Sequence, residues 1–282
     1  MKVTVYIPTK NRKDILAKAV DSVLNQTYWD IEVIVVSDGS TDDTESYLKQ
    51  KSSIDNRLKY FIKPNSEGAP AARNLAIKNA TGDFITGLDD DDQFLPNRIE
   101  LLINYWIFLK EHSVLPSCLY TPDLIYRNGK EVGESKKLGH VSHQQLFESN
   151  QIGNQIFAPK SVFIDAGLFD EQMPAWQDME FFYRVLKMFG NASLLDIPTQ
   201  IVDDTPRADR ISIKASNRLR AANERFVSKH CQNSDRHSQM LYLQMFSSFY
   251  RIRPKFSDWI NFMKHGFWPK GIVGLLAATF RV

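Results

Sequence analysis

The sequence predicts an α/β protein in which a mostly parallel sheet is flanked by helices and followed by a helical C-terminal extension. In the first third of the chain, short apolar β-branched segments alternate with amphipathic ones, an alternation typical of parallel sheets. After residue 205 the composition becomes basic and rich in aromatic residues. A length of 282 residues suffices for one large domain with an extension. We therefore divide the chain into an α/β domain, residues 1–205, and an extension, residues 206–282.

The first two strands and the helix between them have clear patterns. Val3 to Ile7 is an apolar strand that Pro8 closes, and a helix follows from about Lys13 with apolar residues three and four positions apart. Ile31 to Val36 is rich in β-branched residues, which predicts a parallel strand buried on both faces.

Further elements follow the same alternation. Leu58 to Ile62 predicts a third strand, and Gly68 opens a helix of small residues. Phe84 to Leu88 contains a short fourth strand. Farther along, we expect strands near Val114 to Tyr120 and within Ala192 to Val202.

Four consecutive carboxylates, Asp89 to Asp92, follow the fourth strand. Because these anions repel one another, a fold that keeps them at a strand end must neutralise them. Mg²⁺ or Mn²⁺ is a natural candidate, since both prefer carboxylate oxygen and keep sites open for a substrate diphosphate. The alternative is a solvated acidic turn, as most charge runs are. A calcium loop is excluded because Phe94 stands where an EF-hand needs glycine.

Polar segments follow each of the predicted parallel strands. Ligands of such sheets bind outside the carboxyl ends of the strands. This rule brings residues 8–11, 38–40, 65–73 and 89–92 to one edge of the sheet. The two common phosphate-binding glycine loops are missing from the sequence, so a bound diphosphate would need a metal to neutralise it.

Composition and charge exclude several classes of protein. The 35 basic and 33 acidic residues nearly balance, which argues against a general nucleic-acid binder. Cys118 and Cys231 are too few for a disulfide framework or a zinc site and suit a reducing compartment. The chain begins with a strand instead of a signal peptide, and no apolar run reaches the length of about eighteen residues that a membrane span needs.

Several motifs follow one another in order along the chain. They are Ile7-Pro8-Thr9-Lys10-Asn11-Arg12, Ser22 to Thr27, Val36 to Thr44, Gly68 to Asn74 and Thr81 to Asp92. Together they resemble glycosyltransferase family 2, the inverting enzymes of the GT-A fold, over about residues 1–205. The resemblance implies a nucleotide-sugar donor, usually linked to UDP, and a divalent metal, Mn²⁺ or Mg²⁺.

The resemblance also implies roles for individual residues on the donor side. Asp38 would contact the base with help from Arg73, Asp89 would hold the ribose, and Asp91 would ligate the metal, so that Asp89-Asp90-Asp91 is the family's D-x-D motif. Pro8, Thr9, Asn11 and Asp90 would complete the donor site. Taken alone, Asp38 could equally cap a turn, and Arg73 could be a surface cation. Lys10 stands where the family often has an aromatic or small residue.

Asp178 matches the aspartate that resembles the general base of inverting members. A base must approach the acceptor hydroxyl on the face opposite the leaving nucleotide, and a carboxylate at a helix start is held rigidly enough to do so. Gln177 replaces the glutamate that commonly precedes this aspartate. The competing interpretations are that Asp178 is a helix cap and that Glu180 is the base.

The extension combines positive charge with aromatic residues. From Arg236 onward, seven Lys or Arg residues accompany one acidic residue, Asp258, a balance of +6. We expect amphipathic helices on an anionic membrane surface, or a tail packed on its own domain or on a second subunit. We do not expect nucleic-acid binding.

These observations predict an inverting glycosyltransferase that moves a sugar from a UDP-sugar to a hydroxyl of a glycan acceptor. By family analogy the acceptor is a glycan linked to polyprenyl diphosphate or to another lipid, in surface polysaccharide synthesis. The expected location is cytoplasmic, peripheral on the inner face of the cell membrane. The alternatives are a metal-dependent nucleotidyltransferase and a non-catalytic module that binds nucleotide sugars.

Overall fold

The alternation of strand and helix in the sequence produces a layered α/β structure. A computed structural model describes residues 1–205, 216–232, 234–250 and 252–280. In chain order the strands are β1 (Val3–Thr9), β2 (Ile31–Asp38), β3 (Leu58–Lys63), β4 (Phe84–Gly87), β5 (Gln93–Phe94), β6 (Leu119–Tyr120), β7 (Asp123–Arg127), β8 (Lys130–Glu134), β9 (His140–Val141), β10 (Phe157–Pro159), β11 (Ala192–Leu194) and β12 (Gln200–Asp203). The helices are α1 (Lys13–Leu24), α2 (Thr44–Ile54), α3 (Ala69–Asn79), α4 (Arg98–Glu111), α5 (Lys160–Asp165), α6 (Gln177–Phe189), α7 (Ser216–His230), α8 (Asp235–Gln244), α9 (Phe256–Met263) and α10 (Pro269–Thr279).

Two sheets organise the described part of the chain. The larger has eight strands in the order β3-β2-β1-β4-β10-β6-β11-β9, and its first four strands are parallel. Strand β10 runs antiparallel to both of its neighbours, β4 and β6. The smaller sheet has the order β5-β12-β7-β8. The parallel half matches the expectation, and the sheet as a whole is mixed.

The alternating side chains of the central strands feed two separate cores, one on each face of the large sheet. Tyr6 and Ile34 belong to the core that includes residues of α3, α5 and α6. Val5 and Val33 belong to the core that includes residues of α1, α2 and α4. This arrangement explains why the central strands are apolar at nearly every position.

Three predicted strand boundaries were wrong. Strand β1 continues through Pro8 to Thr9, because β2 still pairs with it there. Proline is tolerated at this position since β4 pairs with β1 only as far as Tyr6, which leaves that side of Pro8 as a strand edge. The strand expected from Val114 shrinks to β6, since the chain leaves α4 through a turn that exposes Val114 and Leu115. The strand expected over residues 192–202 divides into β11 and β12, which lie in different sheets.

Helices α7 and α8 pack on the α/β domain through their inner faces, and α9 and α10 pack on α7 and α8. Glu180 of α6 is fully buried and accepts bonds from Arg184, Lys229 and His230, so it joins α6 to α7. Phe226 of α7 lies in the core beneath α6. The expectation that the extension packs on its own domain therefore holds for α7 and α8. In the described ranges, each helix is too short or too polar to cross the hydrocarbon core of a bilayer.

Candidate active site

A cleft of about 940 Å³ lies at the carboxyl ends of β1, β2 and β4, the size of many small-molecule sites. Every residue predicted for the site lines it. These residues are Pro8, Thr9, Asn11, Asp38, Arg73, Asp89, Asp90, Asp91 and Asp178. The rule that ligands bind outside the carboxyl ends of parallel strands therefore predicted correctly that the segments after these strands lie together. Asp178 joins them from the start of α6.

Asp38 organises the loop that leads into α3. Its buried carboxylate accepts bonds from Ser66 Oγ at 2.7 Å and from the backbone N–H groups of Glu67 and Gly68 at 2.9 and 2.8 Å. Lys63 Nζ lies 3.1 Å away. Burial alone would raise the pKa of Asp38, but these donors outweigh it and lower the pKa. Asp38 thus shapes the cleft rim, and its contact with the base stays a prediction.

Three further residues of the first motif, Thr9, Asn11 and Arg12, shape the entrance. Thr9 Oγ1 donates to Asp90 at 2.8 Å, and Arg12 Nη1 donates to the other oxygen of Asp90 at 2.9 Å. Asn11 adopts a left-handed conformation, with φ of 54°, and its side-chain oxygen accepts the N–H of Thr41 at 2.7 Å. This bond ties the ends of β1 and β2 together.

Arg73 connects the acidic motif to the start of α6. Its guanidinium is buried and donates from Nη1 to Asp178 at 2.8 Å and from Nη2 to Asp89 at 3.0 Å. A planar guanidinium fits two carboxylates at once in a way that an ammonium does not. Burial disfavours the charge of Arg73, but both carboxylates outweigh this effect and raise its pKa. The interpretation of Arg73 as a surface cation is therefore wrong.

Asp178 has the electrostatics of a general base. Its removal from bulk water raises its pKa to about 6; Arg73 opposes this shift and Asp89 adds to it. A carboxylate with such a pKa is ionised at neutral pH and still accepts a proton more readily than an exposed aspartate. Glu180 does not line the cleft, and its partners lower its pKa to about 2 despite burial. The geometry therefore favours Asp178 over Glu180 as a base.

Contacts within the protein offset part of the charge of the acidic run. Asp89 accepts from Arg73, Asn154 and Gln155, and Asp92 accepts from Asn154 and Gln200. Asp90 is held by the contacts described above. The amides of Asn154, Gln155 and Gln200 carry no charge, and burial together with Asp89 and Asp91 raises the pKa of Asp92, so these contacts offset only part of the repulsion. A bound metal therefore stays a prediction.

The predicted metal site was tested against these contacts. Among the residues that the structure describes, no group of three or more His, Cys, Asp and Glu side chains could hold a metal ion alone. Asp91 lines the cleft and lies 3.6 Å from Arg12 Nη1. Mg²⁺ is commonly held by one or two carboxylates plus substrate phosphates and water. Asp91 thus fits a metal that binds together with a diphosphate, and this ligation stays a prediction.

Several residues of the cleft were not found from the sequence. Asn154 precedes β10, whose antiparallel direction brings its amino end to the same edge. Others come from the loop before α6 and from the extension, and they are Pro174, Trp176, Arg218, Leu219, Phe249 and Tyr250. The polar residues Asn154 and Gln155 directly precede the buried strand β10, and this pattern could have predicted a place for Asn154 at the site. The extension gave no such signal, since its aromatic residues have no fixed place without the fold.

Comparison with known proteins identifies the family. The model of the family "Glycosyl transferase family 2" matches residues 4–166. The chain belongs to glycosyltransferase family 2. The family assignment confirms the resemblance expected from the motifs and establishes the chain as a glycosyltransferase.

Relatives of this family 2 glycosyltransferase include the putative colanic acid biosynthesis glycosyl transferase WcaA of Escherichia coli (strain K12). The two are 31% identical over 262 residues, which cover 91% of this chain and 90% of the relative. A GalNAc(5)-diNAcBac-PP-undecaprenol beta-1,3-glucosyltransferase of Campylobacter jejuni is 40% identical over 103 residues, which cover 36% of this chain and 33% of the relative.

Solved structures confirm the GT-A fold of the family 2 chain. TarS of S. aureus in complex with UDP-GlcNAc has a TM-score of 0.66 at 21% identity and covers 98% of this chain and 82% of its own. The mannosyltransferase PcManGT of Pyrobaculum calidifontis, in complex with GDP-Man and Mn²⁺, has a TM-score of 0.56 at 17% identity and covers 98% of this chain and 72% of its own. At these identities the likeness concerns the fold alone.

Proposed function

We propose that the protein is an inverting glycosyltransferase that moves a sugar from a UDP-sugar to a hydroxyl of a glycan acceptor linked to polyprenyl diphosphate. We further propose that it acts in the synthesis of a surface polysaccharide. The relative named for colanic acid biosynthesis supports the second statement, and the relative named for an undecaprenol-linked substrate supports the acceptor class.

The observation that carries the proposal is the bridge from Asp89 through Arg73 to Asp178. One guanidinium fixes a carboxylate of the acidic motif and the candidate base within a single cleft. An inverting transfer needs this juxtaposition, because the base must lie close to the anomeric carbon and opposite the departing diphosphate.

The roles of the protein's own residues follow from this geometry. Asp178 removes the proton of the acceptor hydroxyl as oxygen attacks the anomeric carbon, and Arg73 keeps its carboxylate oriented and ionised. Asp89 is positioned by Arg73 and Asn154 for the donor's ribose. A divalent cation held by Asp91, when bound, neutralises charge that develops on the departing diphosphate.

The alternatives lack support from these contacts. A nucleotidyltransferase would leave Asp178 without a role, and a binding module would not need a buried carboxylate with a pKa of about 6. Membership of a glycosyltransferase family also favours transfer over both alternatives.

The decisive experiment uses a panel of UDP- and GDP-sugars with Mn²⁺ or Mg²⁺. The enzyme is expected to hydrolyse its own donor slowly and to release nucleoside diphosphate with a sugar of inverted anomeric configuration, as seen by NMR. Release of sugar 1-phosphate, the leaving group when an acceptor attacks the α-phosphate of the donor, would indicate a nucleotidyltransferase. Binding of a donor without turnover, with or without polyprenyl-diphosphate-linked sugars, would indicate a binding module.

The outer faces of α9 and α10 support a membrane-bound location. We define the α9–α10 surface by its large exposed apolar side chains, which are Phe256, Ile260, Met263, Phe267, Val273, Leu276 and Phe280. Lys255, Lys264 and Lys270 accompany them. Asp258 is buried and paired with Arg220, whereas Asp235 of α8 is exposed beside His265. The three lysines outnumber this carboxylate, so the surface presents mainly positive charge. Such a surface suits peripheral binding to anionic lipids at the cytoplasmic face of the membrane.

A further inference from the structure

The cleft has a second wall that differs from the donor side. The loop before α6 contributes Pro174 and Trp176, α7 contributes Arg218 and Leu219, and the segment after α8 contributes Phe249 and Tyr250. These residues all lie outside residues 4–166, which match the family model. The donor side is rich in carboxylates, whereas this wall combines aromatic rings with a guanidinium. We call it the aromatic wall.

The aromatic rings of the wall are held in place by specific contacts. Trp176 Nε1 donates to the Tyr250 hydroxyl at 2.8 Å, and the rings of Phe249 and Tyr250 meet edge to face with their centroids 5.0 Å apart. Trp176 and Tyr250 also pack against the hydrophobic cluster of the C-terminal helices. The wall is therefore a rigid platform, although 67% of the Phe249 surface is exposed.

Trp176 carries a further sign of a functional position. Its φ of 57° lies in the left-handed region, which bulky residues rarely adopt. Such backbone conformations persist where surrounding contacts enforce them and are common at ligand sites. Trp176 stands two residues before Asp178, and both residues line the cleft.

Arg218 provides the positive charge of the wall. Its guanidinium is exposed at the cleft, where Nη2 donates to the backbone oxygen of Pro174 at 2.8 Å. A guanidinium anchored in this way can still direct other N–H groups towards an anion.

We propose that the aromatic wall is the acceptor site and takes a pyranose ring that carries a negatively charged substituent. This proposal rests on the proposed function. The rings of Trp176, Phe249 and Tyr250 receive the apolar face of the sugar, and Arg218 pairs with the anion. The anion is either the diphosphate of a lipid carrier or the carboxylate of a uronic acid. An acceptor held here presents its hydroxyl to Asp178 from the side away from Asp91.

The test measures binding of small probes to the full-length enzyme with UDP and Mn²⁺ present. The probes are a neutral methyl hexopyranoside, the corresponding hexopyranosyl 1-phosphate and the methyl hexopyranosiduronate, in the gluco, galacto and manno series. The variants are Phe249→Ala and Arg218→Gln. The matched controls are Phe256→Ala and Arg253→Gln, which change exposed residues outside the cleft.

The expected results separate the two parts of the wall. The wild type should bind a charged probe at least about tenfold more tightly than the neutral one, the size expected for a charge-assisted hydrogen bond. Arg218→Gln should abolish this difference, and Phe249→Ala should weaken all probes, while UDP affinity and both controls remain unchanged. Preference for the phosphate would indicate a lipid diphosphate, and preference for the uronate an acidic glycan.

Other results would overturn the proposal. These are a wild type that binds none of the probes or prefers the neutral one, and wall variants that bind every probe like the controls. Slow hydrolysis of the sugar donor, measured in the same variants, reports on the proposed function separately. If hydrolysis persists while the wall variants bind probes normally, the acceptor assignment alone fails.

Discussion

Arg73 Nη1 lies 2.8 Å from Asp178 Oδ1, so a buried cation faces the carboxylate proposed as the catalytic base. The same guanidinium holds Asp89, which couples the donor motif to the base. This contact makes the charge state and orientation of Asp178 depend on a residue that lies far from it in sequence.

The first prediction concerns this contact. Arg73→Gln removes the positive charge that lowers the pKa of Asp178, so the acidic limb of the pH–rate profile should move to higher pH. Arg73→Lys keeps the charge and should restore the position of the limb in part, with a lower rate because an ammonium cannot bridge both carboxylates. Lys78→Gln changes an exposed residue of the same helix and serves as the control. An unchanged profile in Arg73→Gln would show that Arg73 is only structural.

The wild-type enzyme should itself lose activity in acid. Because the pKa of Asp178 is raised to about 6, the base becomes protonated as the pH falls through this value. The rate of transfer at saturating substrate should therefore fall about tenfold for each further pH unit below the pKa. Single-turnover rates between pH 5 and pH 8.5 provide the measurement, and a flat profile would contradict the assignment.

The metal prediction concerns Asp91. Asp91→Ala should reduce transfer by about a hundredfold or more and remove the metal dependence of UDP binding, since it deletes the proposed carboxylate ligand. Its thermal unfolding should resemble that of the control Asp43→Ala, which alters an exposed carboxylate outside the cleft. Full activity of the wild type in excess EDTA, or normal turnover of Asp91→Ala, would refute a role for the metal.

Glu180 is predicted to stabilise the fold without taking part in the reaction. Glu180→Gln leaves Arg184, Lys229 and His230 without their common buried anion, which should cost about 3–5 kcal/mol of unfolding free energy. The pKa of Glu180 is lowered to about 2, so its stabilisation is complete above its ordinary pKa and disappears as the pH falls towards 2. Chemical denaturation tests this, with Glu224→Gln on the exposed face of α7 as the control.

Membrane binding depends on the α9–α10 surface. Replacing Phe256, Phe267 and Phe280 by Ser should weaken binding to anionic vesicles strongly, because their exposed rings are the groups available for insertion. Replacing Lys264 and Lys270 by Gln should cost roughly 1 kcal/mol for each charge near the surface. Ile54→Ser, an equally exposed apolar position on α2, is the control. Unchanged sedimentation with vesicles in all variants would contradict the membrane proposal.

Substitutions test this surface better than deletion of residues 236–282. Leu241 belongs to the main core, and Gln244 Nε2 donates to the backbone oxygens of Leu146 and Phe147. A deletion would therefore damage the α/β domain itself. The division of the chain at residue 205 remains a prediction. The first basic residues of the extension, Arg207, Arg210 and Lys214, lie outside the described residues.

The sequence was sufficient to predict the parts of the site that follow from local pattern. Parallel strands are apolar along their whole length, and their polar ends must meet at one edge, so Thr9, Asp38 and Asp89 were found together. The contact from Arg73 to Asp178 was not predictable in this way. It joins residues 105 positions apart and depends on how α6 packs against α3.

The other cleft residues that the sequence did not predict were missed for related reasons. The rule for strand ends applies to parallel strands, and Asn154 was missed because β10 runs in the opposite direction. Phe249 and Tyr250 were expected in an extension that lies on a membrane surface or packs on its own domain or a second subunit, since aromatic residues beside basic ones suit a lipid surface as well as a sugar site. Only the packing of α7 and α8 on the domain places these rings in the cleft.

The rate of sugar transfer by Asp178→Asn, at saturating donor and pH 8, tests the central claim most directly. The amide keeps the shape of the carboxylate but cannot accept the proton, so transfer should fall by about a hundredfold or more while the Kd of the donor changes little. Asp165→Asn, an exposed position outside the cleft, should match the wild type. Turnover of Asp178→Asn close to that of the wild type would contradict the account and leave Asp178 as a structural partner of Arg73.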